Sequence, residues 1–158
     1  MSVLFVCLGN ICRSPMAEGA FRAAATRHGL ECDVESAGTA SYHIGDPPDP
    51  RAIAIARARG VEIGGQTARQ IAREDFFRFT HILAMDGANL AGIRAQAPRD
   101  VTAQIGLLMD AVEGRRGEAI PDPYYGDETL FAQVWNEITE AVEALALRFA
   151  REGVGMRL

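Results

Sequence analysis

The first apolar cluster along the chain is Val3-Leu4-Phe5-Val6, and residues 2–7 form a short run rich in β-formers. Such a run predicts a strand buried on both faces. Met16, Ala20, Phe21, Ala24 and Ala25 then recur at helical spacing. Ser14 has N-cap chemistry, Pro15 suits the first helical position, and Gly29 stops the helix near His28. Residues 32–37 alternate and predict a second strand, followed by a loop rich in Gly and Pro over residues 38–48. Asp49 caps the next helix with Pro50 at its first position, and Gly60 closes it. Residues 74–79 predict a short helical segment, and residues 81–85 a third strand with Asp86 at its carboxyl end. Residues 86–95 read as a helix, and a short fourth strand falls within residues 101–107. Two prolines bracket Asp122 in Pro121-Asp122-Pro123-Tyr124-Tyr125-Gly126, which excludes regular structure there. From Asp127 a long terminal helix carries Leu130, Phe131, Val134, Ile138, Val142 and Leu145 on one stripe.

Strands alternating with helices predict an α/β fold: a three-layer sandwich with a four-stranded parallel sheet and helices on both faces. Ligands of such sheets bind beyond the carboxyl ends of the strands. Cys7, Asp86 and the loop after Ser36 all fall at such ends.

Composition narrows this picture. A chain of 158 residues with 48% apolar content predicts a single domain over residues 1–158. Its net charge of −5 and lack of any basic run argue against nucleic acid or an anionic membrane as partner. No apolar stretch approaches the roughly 18 residues of a membrane span, and Met1-Ser2-Val3 does not start a signal peptide. The three cysteines, Cys7, Cys12 and Cys32, are an odd number, which fits a reduced cytoplasmic protein better than a disulfide framework. His28, His43 and His81 are scattered, so no metal and no cofactor are expected.

The chemistry concentrates in Cys7-Leu8-Gly9-Asn10-Ile11-Cys12-Arg13-Ser14-Pro15. A strand ends in a cysteine, and an arginine follows at the opening of a helix. A thiolate is favoured near a helix N-terminus and beside a cation. Gly9 accepts any φ and Asn10 tolerates the left-handed region, so the loop can turn its N–H groups inward as an anion nest. Arg13 offers a planar fork for two phosphate oxygens. Together these predict a tetrahedral oxyanion held over a sulfur nucleophile: phosphoryl transfer to Cys7, then hydrolysis of the thiophosphate. The leaving oxygen needs a proton. Asp122 on its stiff loop is the candidate donor, with partly apolar surroundings expected to raise its pKa. Asp86 is the rival acid, though a helix cap through Asn89 and Leu90 is its ordinary role. Cys12 is either filler or a partner that captures oxidised Cys7 as a reversible disulfide. Tyr42, Tyr124 and Tyr125 are the chain's only tyrosines and all fall in loops, where aromatics bind ligands more often than they fill a core. Trp135, in the last helix, is expected in the core.

These residues resemble the low-molecular-weight protein tyrosine phosphatase family over nearly the whole chain. The loop from Cys7 to Pro15 matches its Cys-x5-Arg-Ser signature. Ser36-Ala37-Gly38-Thr39, Ala68-Arg69-Gln70-Ile71, Met85-Asp86 with Asn89-Leu90, and Asp122-Pro123-Tyr124-Tyr125 match in order. The resemblance implies Cys7 as nucleophile, Arg13 as transition-state clamp and Asp122 as proton donor. It implies that Asn10, Ser14 and Ser36 support the loop, with Ser14 steadying the Cys7 thiolate. It implies binding contacts from Leu8, Gly9, Ile11, Cys12, Tyr42, Tyr124 and Tyr125 in a slot deep enough for a phosphorylated aromatic ring. The implied partners are phosphotyrosine-containing proteins, with inorganic phosphate and other oxyanions as product or inhibitor. Superfamily members that act on phosphoarginine carry threonine where this chain has Ile11, so Ile11 favours phosphotyrosine. Gln66 departs from the family pattern, standing where many members have a histidine in the loop-support network. An arsenate reductase would need a later cysteine pair that this chain lacks. A non-catalytic binding module on the same fold would not be expected to keep Cys7, Arg13 and Asp122 together.

Overall fold

The computed structural model describes residues 1–153. Its strands are β1 (Ser2–Cys7), β2 (Asp33–Gly38), β3 (His81–Ala84) and β4 (Gln104–Leu107). Its helices are α1 (Arg13–Arg27), α2 (Pro50–Ala58), α3 (Asp75–Arg78), α4 (Gly87–Gln96) and α5 (Glu128–Arg151), with a 3-10 turn over Leu108–Ala111. All strand pairings are parallel and the order is β2-β1-β3-β4. Each element falls within a few residues of the stretch expected to form it. The second strand starts one residue later than expected, and β4 occupies only the end of its segment.

The alternation along β1 builds the layers. Val3 and Phe5 face a cluster containing Phe21 of α1 and Phe131, Ile138 and Phe149 of α5. Leu4 and Val6 face a separate cluster with Phe76 of α3 and Ile93 of α4. Helices therefore cover both faces, and β1 is buried along its whole length. Phe21 meets Phe5 at 5.7 Å and Phe149 at 6.2 Å between ring centroids, both within range for favourable aromatic pairs. Trp135 is buried in α5, as expected.

Three caps follow the sequence signals. Asp49, Asp86 and Asp127 accept backbone N–H bonds from Arg51, Asn89 and Leu130 at the starts of α2, α4 and α5. The start of α1 differs from expectation. Its N-cap is Cys12, without a side-chain capping bond, and Ser14 and Pro15 lie inside the first turn. Pro15 is tolerated there because first-turn N–H groups lack helical partners. Ser14 does not cap because its hydroxyl is committed to the loop below.

Candidate active site

β1 delivers Cys7 to the centre of the sheet edge, and residues 8–12 loop over it before α1 begins. The loop is tied on both sides. The carbonyls of Cys7, Leu8 and Ile11 accept N–H bonds from Thr39, Ala40 and Asp49 at 2.9, 3.0 and 2.8 Å. Asn10, at φ 59°, is the one non-glycine residue with positive φ among the described residues. Its backbone N–H donates to Cys7 Sγ at 3.3 Å, so the left-handed turn aims a donor at the sulfur. Ser14 Oγ lies 3.0 Å from the same sulfur. Cys7 is buried, with the Asn10 N–H and the Ser14 hydroxyl as polar neighbours of its sulfur.

The Asn10 side chain organises the floor. Its Nδ2 donates to Ser14 Oγ at 2.8 Å and Ser36 Oγ at 2.9 Å, and its Oδ1 accepts from the Arg69 N–H at 3.0 Å. Asn10, Ser14 and Ser36 thus join in one network. Gln66 is part of it: its Oε1 faces Ser36 Oγ at 3.5 Å and its Nε2 donates to the Pro15 carbonyl at 3.1 Å. Sequence reasoning missed Glu18, whose Oε1 accepts from Ser36 Oγ at 3.0 Å. Burial pushes the Glu18 carboxyl up, against the pull of Ser36 and Arg22. Its signal was spacing: Glu18 lies four residues after Ser14, on the same face of α1.

Arg13 is buried, with its Nη1 bonded to Asp86 Oδ2 at 2.7 Å and to the Ile120 carbonyl at 2.9 Å. Asp86 therefore does more than cap α4: it holds the guanidinium. The Asn89 amide, turned to satisfy both neighbours, donates to Asp86 Oδ1 at 3.0 Å and accepts from the Leu8 N–H at 3.3 Å. Arg13 Nη2 lies 3.7 Å from Asp122 Oδ2. The partly apolar surroundings expected for Asp122 are not what the fold builds. Its side chain is 45% exposed, faces Arg13, and accepts the Tyr124 N–H at 3.1 Å, because the two flanking prolines keep it on an outer loop.

Above Cys7 opens a cleft of about 230 Å³, lined by Cys7, Leu8, Gly9, Ile11, Cys12, Arg13, Tyr42, Asp122, Tyr124 and Tyr125. Every residue expected to contact substrate is there. His43 lines it too and was not anticipated; its ring stands 6.3 Å from that of Tyr124. Adjacency to Tyr42 was the only hint. The tyrosines form the mouth: Tyr124 packs edge-on against Tyr125 at 4.9 Å, and Tyr125 is almost fully exposed.

Cys7, Cys12 and Cys32 are all free thiols. Burial pushes the Cys12 thiol far up, helped by the negative charge of Asp49, so Cys12 stays neutral beside the loop. The less enclosed Cys32 is pushed up to about 11 by burial. Among the described residues no helix is long and apolar enough to cross a membrane.

Residues 2–154 match the family model for low molecular weight phosphotyrosine protein phosphatases. The low molecular weight protein-tyrosine-phosphatase YfkJ of Bacillus subtilis is 42% identical over 154 residues, covering 96% of this chain and 97% of that protein. A protein tyrosine phosphatase from Entamoeba histolytica, crystallised with Hepes in its active site, superposes with a TM-score of 0.89 at 35% identity, covering 97% of this chain and 98% of that one. A Drosophila arginine phosphatase superposes with a TM-score of 0.88 at 32% identity, covering 94% and 98%. Full-length similarity of this order, joined to a buried cysteine, arginine and serine network at the end of a central parallel strand, places the chain in the low molecular weight phosphotyrosine protein phosphatase family.

Proposed function

We propose that this protein-tyrosine phosphatase uses Cys7 as nucleophile, Arg13 as oxyanion clamp and Asp122 as general acid and base. The observation that carries the assignment is the convergence on Cys7 Sγ of the Asn10 N–H and the Ser14 hydroxyl, with the Arg13 guanidinium and Asp122 in the same cleft. In the first step Cys7 Sγ attacks phosphorus, the ester P–O bond breaks, and Asp122 donates its proton to the leaving phenolate oxygen. In the second, Asp122 takes a proton from water as that water attacks phosphorus, and the S–P bond breaks to release inorganic phosphate. Asp86 and the Ile120 carbonyl occupy Arg13 Nη1, so the remaining guanidinium N–H groups are those a phosphoryl group would meet.

Proteins bearing phosphotyrosine are the proposed substrates. Leu8, Ile11, Tyr42, Tyr124 and Tyr125 give the cleft apolar and aromatic walls suited to a flat ring. The Entamoeba relative holds Hepes in its active site, and a buffer sulfonate is itself an oxyanion, which supports phosphate and similar anions as product or inhibitor. We assign residues 1–158 to one catalytic domain acting in the cytoplasm, where three unpaired thiols are at home. Reversible pairing of Cys7 with Cys12 under oxidation is part of the same proposal; both thiols line the cleft.

The test compares wild type with Cys7→Ser and Asp122→Ala on para-nitrophenyl phosphate and on matched phosphotyrosyl and phosphoarginyl peptides, in chelator. Turnover should vanish in Cys7→Ser, and Asp122→Ala should lose kcat with KM nearly kept. Undiminished turnover by Cys7→Ser would overturn the mechanism. Faster turnover of the phosphoarginyl peptide would overturn the substrate assignment.

A further inference from the structure

Asp122 sits on a loop with no regular structure, yet a proton donor must be held to within a fraction of an ångström. The contacts of that loop explain how. On one side of Asp122, the Ile120 carbonyl is held by Arg13. On the other, the carbonyls of Tyr124 and Gly126 are held by a second arginine, Arg51 of α2, through Nη2 at 2.9 Å and Nη1 at 3.0 Å. The rest of that guanidinium is bound to Asp49: Nε to Oδ1 at 3.0 Å and Nη2 to Oδ2 at 2.9 Å. The Phe131 ring lies 4.5 Å beneath it and the Tyr124 ring 5.8 Å away. Asp49 is in turn joined to the nucleophile loop, since its N–H donates to the Ile11 carbonyl at 2.8 Å. The chain of contacts therefore runs from the Cys7 loop through Asp49 and Arg51 to the loop that carries Asp122.

We infer that Arg51 is a positioning residue: braced by Asp49, it fixes the Asp122 loop at a set distance from the Cys7 loop. A surface pair between Arg51 and Asp49 alone would be a local helix-start contact of little consequence. The two carbonyls from a distant loop make it a bridge. Only a planar fork can serve two carbonyls and a bidentate carboxylate at once; a lysine ammonium cannot. The inference rests on Asp122 being the proton donor.

The experiment uses the full chain and aryl phosphates of graded leaving-group acidity. Para-nitrophenolate leaves with little protonation, whereas phenolate depends on the donor. Asp122→Ala should therefore slow phenyl phosphate far more than para-nitrophenyl phosphate, within the 10²–10⁴-fold range of general acid catalysis. Arg51→Ala should steepen the same dependence partially, by about tenfold between the two substrates, with KM little changed. Arg51→Lys should not restore it. Asp49→Asn keeps Arg51 and an N-cap side chain but loses the carboxylate. It should show the same steepening in milder form, and it carries the test if Arg51→Ala does not fold. If Asp122→Ala steepens the dependence while Arg51→Ala and Asp49→Asn slow both substrates equally or not at all, the positioning role is wrong. If Asp122→Ala itself slows both equally, the acid assignment fails instead.

Discussion

Asn10→Ala is the sharpest test of how the nucleophile loop is held. The side chain is buried and makes three hydrogen bonds, to Ser14, Ser36 and the Arg69 N–H. Truncation leaves the part-buried Arg69 N–H without its acceptor, at about 1–3 kcal/mol. The oxygens of Ser14 and Ser36 each lose a donor, at about 0.5–1.5 kcal/mol apiece. Alanine at φ 59° adds strain of about 1 kcal/mol that asparagine largely escapes. The combined loss is roughly 3–7 kcal/mol, a large part of the 5–15 kcal/mol that holds a typical domain folded. For a chain of this size, each kcal/mol lowers Tm by about 2–4 °C, so the melting temperature should fall by roughly 6–28 °C. Asn10→Gly should recover the strain but none of the hydrogen bonds, melting a few degrees above Asn10→Ala. Asn10→Asp keeps the acceptor for Arg69 but places an anion against Ser14 and Ser36 beside the sulfur, so it should stay folded yet turn over poorly. Differential scanning calorimetry of the three variants, paired with kcat/KM on para-nitrophenyl phosphate, decides it. A Tm for Asn10→Ala within about 3 °C of wild type, or no gain from glycine over alanine, would refute the reasoning.

Gly38→Ala should cripple turnover more than stability. A Cβ there would lie 2.7 Å from the Leu8 carbonyl oxygen and 3.2 Å from the Asn10 nitrogen, so loop backbone must shift, and displacements near 1 Å can cost about 10²-fold in kcat/KM; a rate within threefold of wild type would count against it. Asp86→Asn keeps the α4 cap but leaves the buried Arg13 only the longer contact with Asp122; the urea midpoint should drop by the equivalent of about 3 kcal/mol, the low end for breaking a buried pair, and an unchanged midpoint would show that the pair is not needed. Glu18→Gln should become increasingly stabilising as pH rises. Burial raises the folded-state value of Glu18 above its reference of 4.5, so the carboxyl costs nothing below that pH, and its penalty grows as pH rises through the folded value. The Tm difference between variant and wild type should therefore climb between pH 4 and pH 8, and a flat or falling difference would contradict the assignment.

Most of the scaffold was legible because its signals are local. Asp49-Pro50, Asp86 and Asp127 each sit where a helix starts, and each caps one. Ser14 carried the same signal and misled, because a hydroxyl satisfies a cap only when no stronger tertiary partner claims it, and here Cys7 and Asn10 do. Most residues that line the cleft come from one dense motif plus Asp122-Pro123-Tyr124-Tyr125, with Tyr42 added from a separate loop. What escaped were the groups that act on other groups. Glu18 reads as a solvent-facing carboxylate on α1 until β2 brings Ser36 against it. Asp86 reads as a cap until Arg13 arrives from across the sheet. His43 has no sequence feature beyond its adjacency to Tyr42 that separates it from an ordinary loop residue; only the closing of the fold gives it the cleft as a neighbour.

The partners of Arg13 also bear on how the protein is made. Its guanidinium pairs with Asp86, 73 residues further along, and with the Ile120 carbonyl, 107 residues along. During synthesis the Cys7 loop and α1 leave the ribosome long before either partner, at a pace of about 5–20 residues per second. A buried cation without its counter-charge is costly, so the loop cannot close in its final form until β3 has docked on β1 and residue 120 has emerged. The nascent chain therefore carries Cys7 without its finished loop through most of its synthesis. The site is assembled late, with the long-range contacts that are also the slowest to form. Truncated or stalled chains should accordingly be inert toward phosphate esters, because the loop around Cys7 and the partners of Arg13 come together only when the sheet is complete.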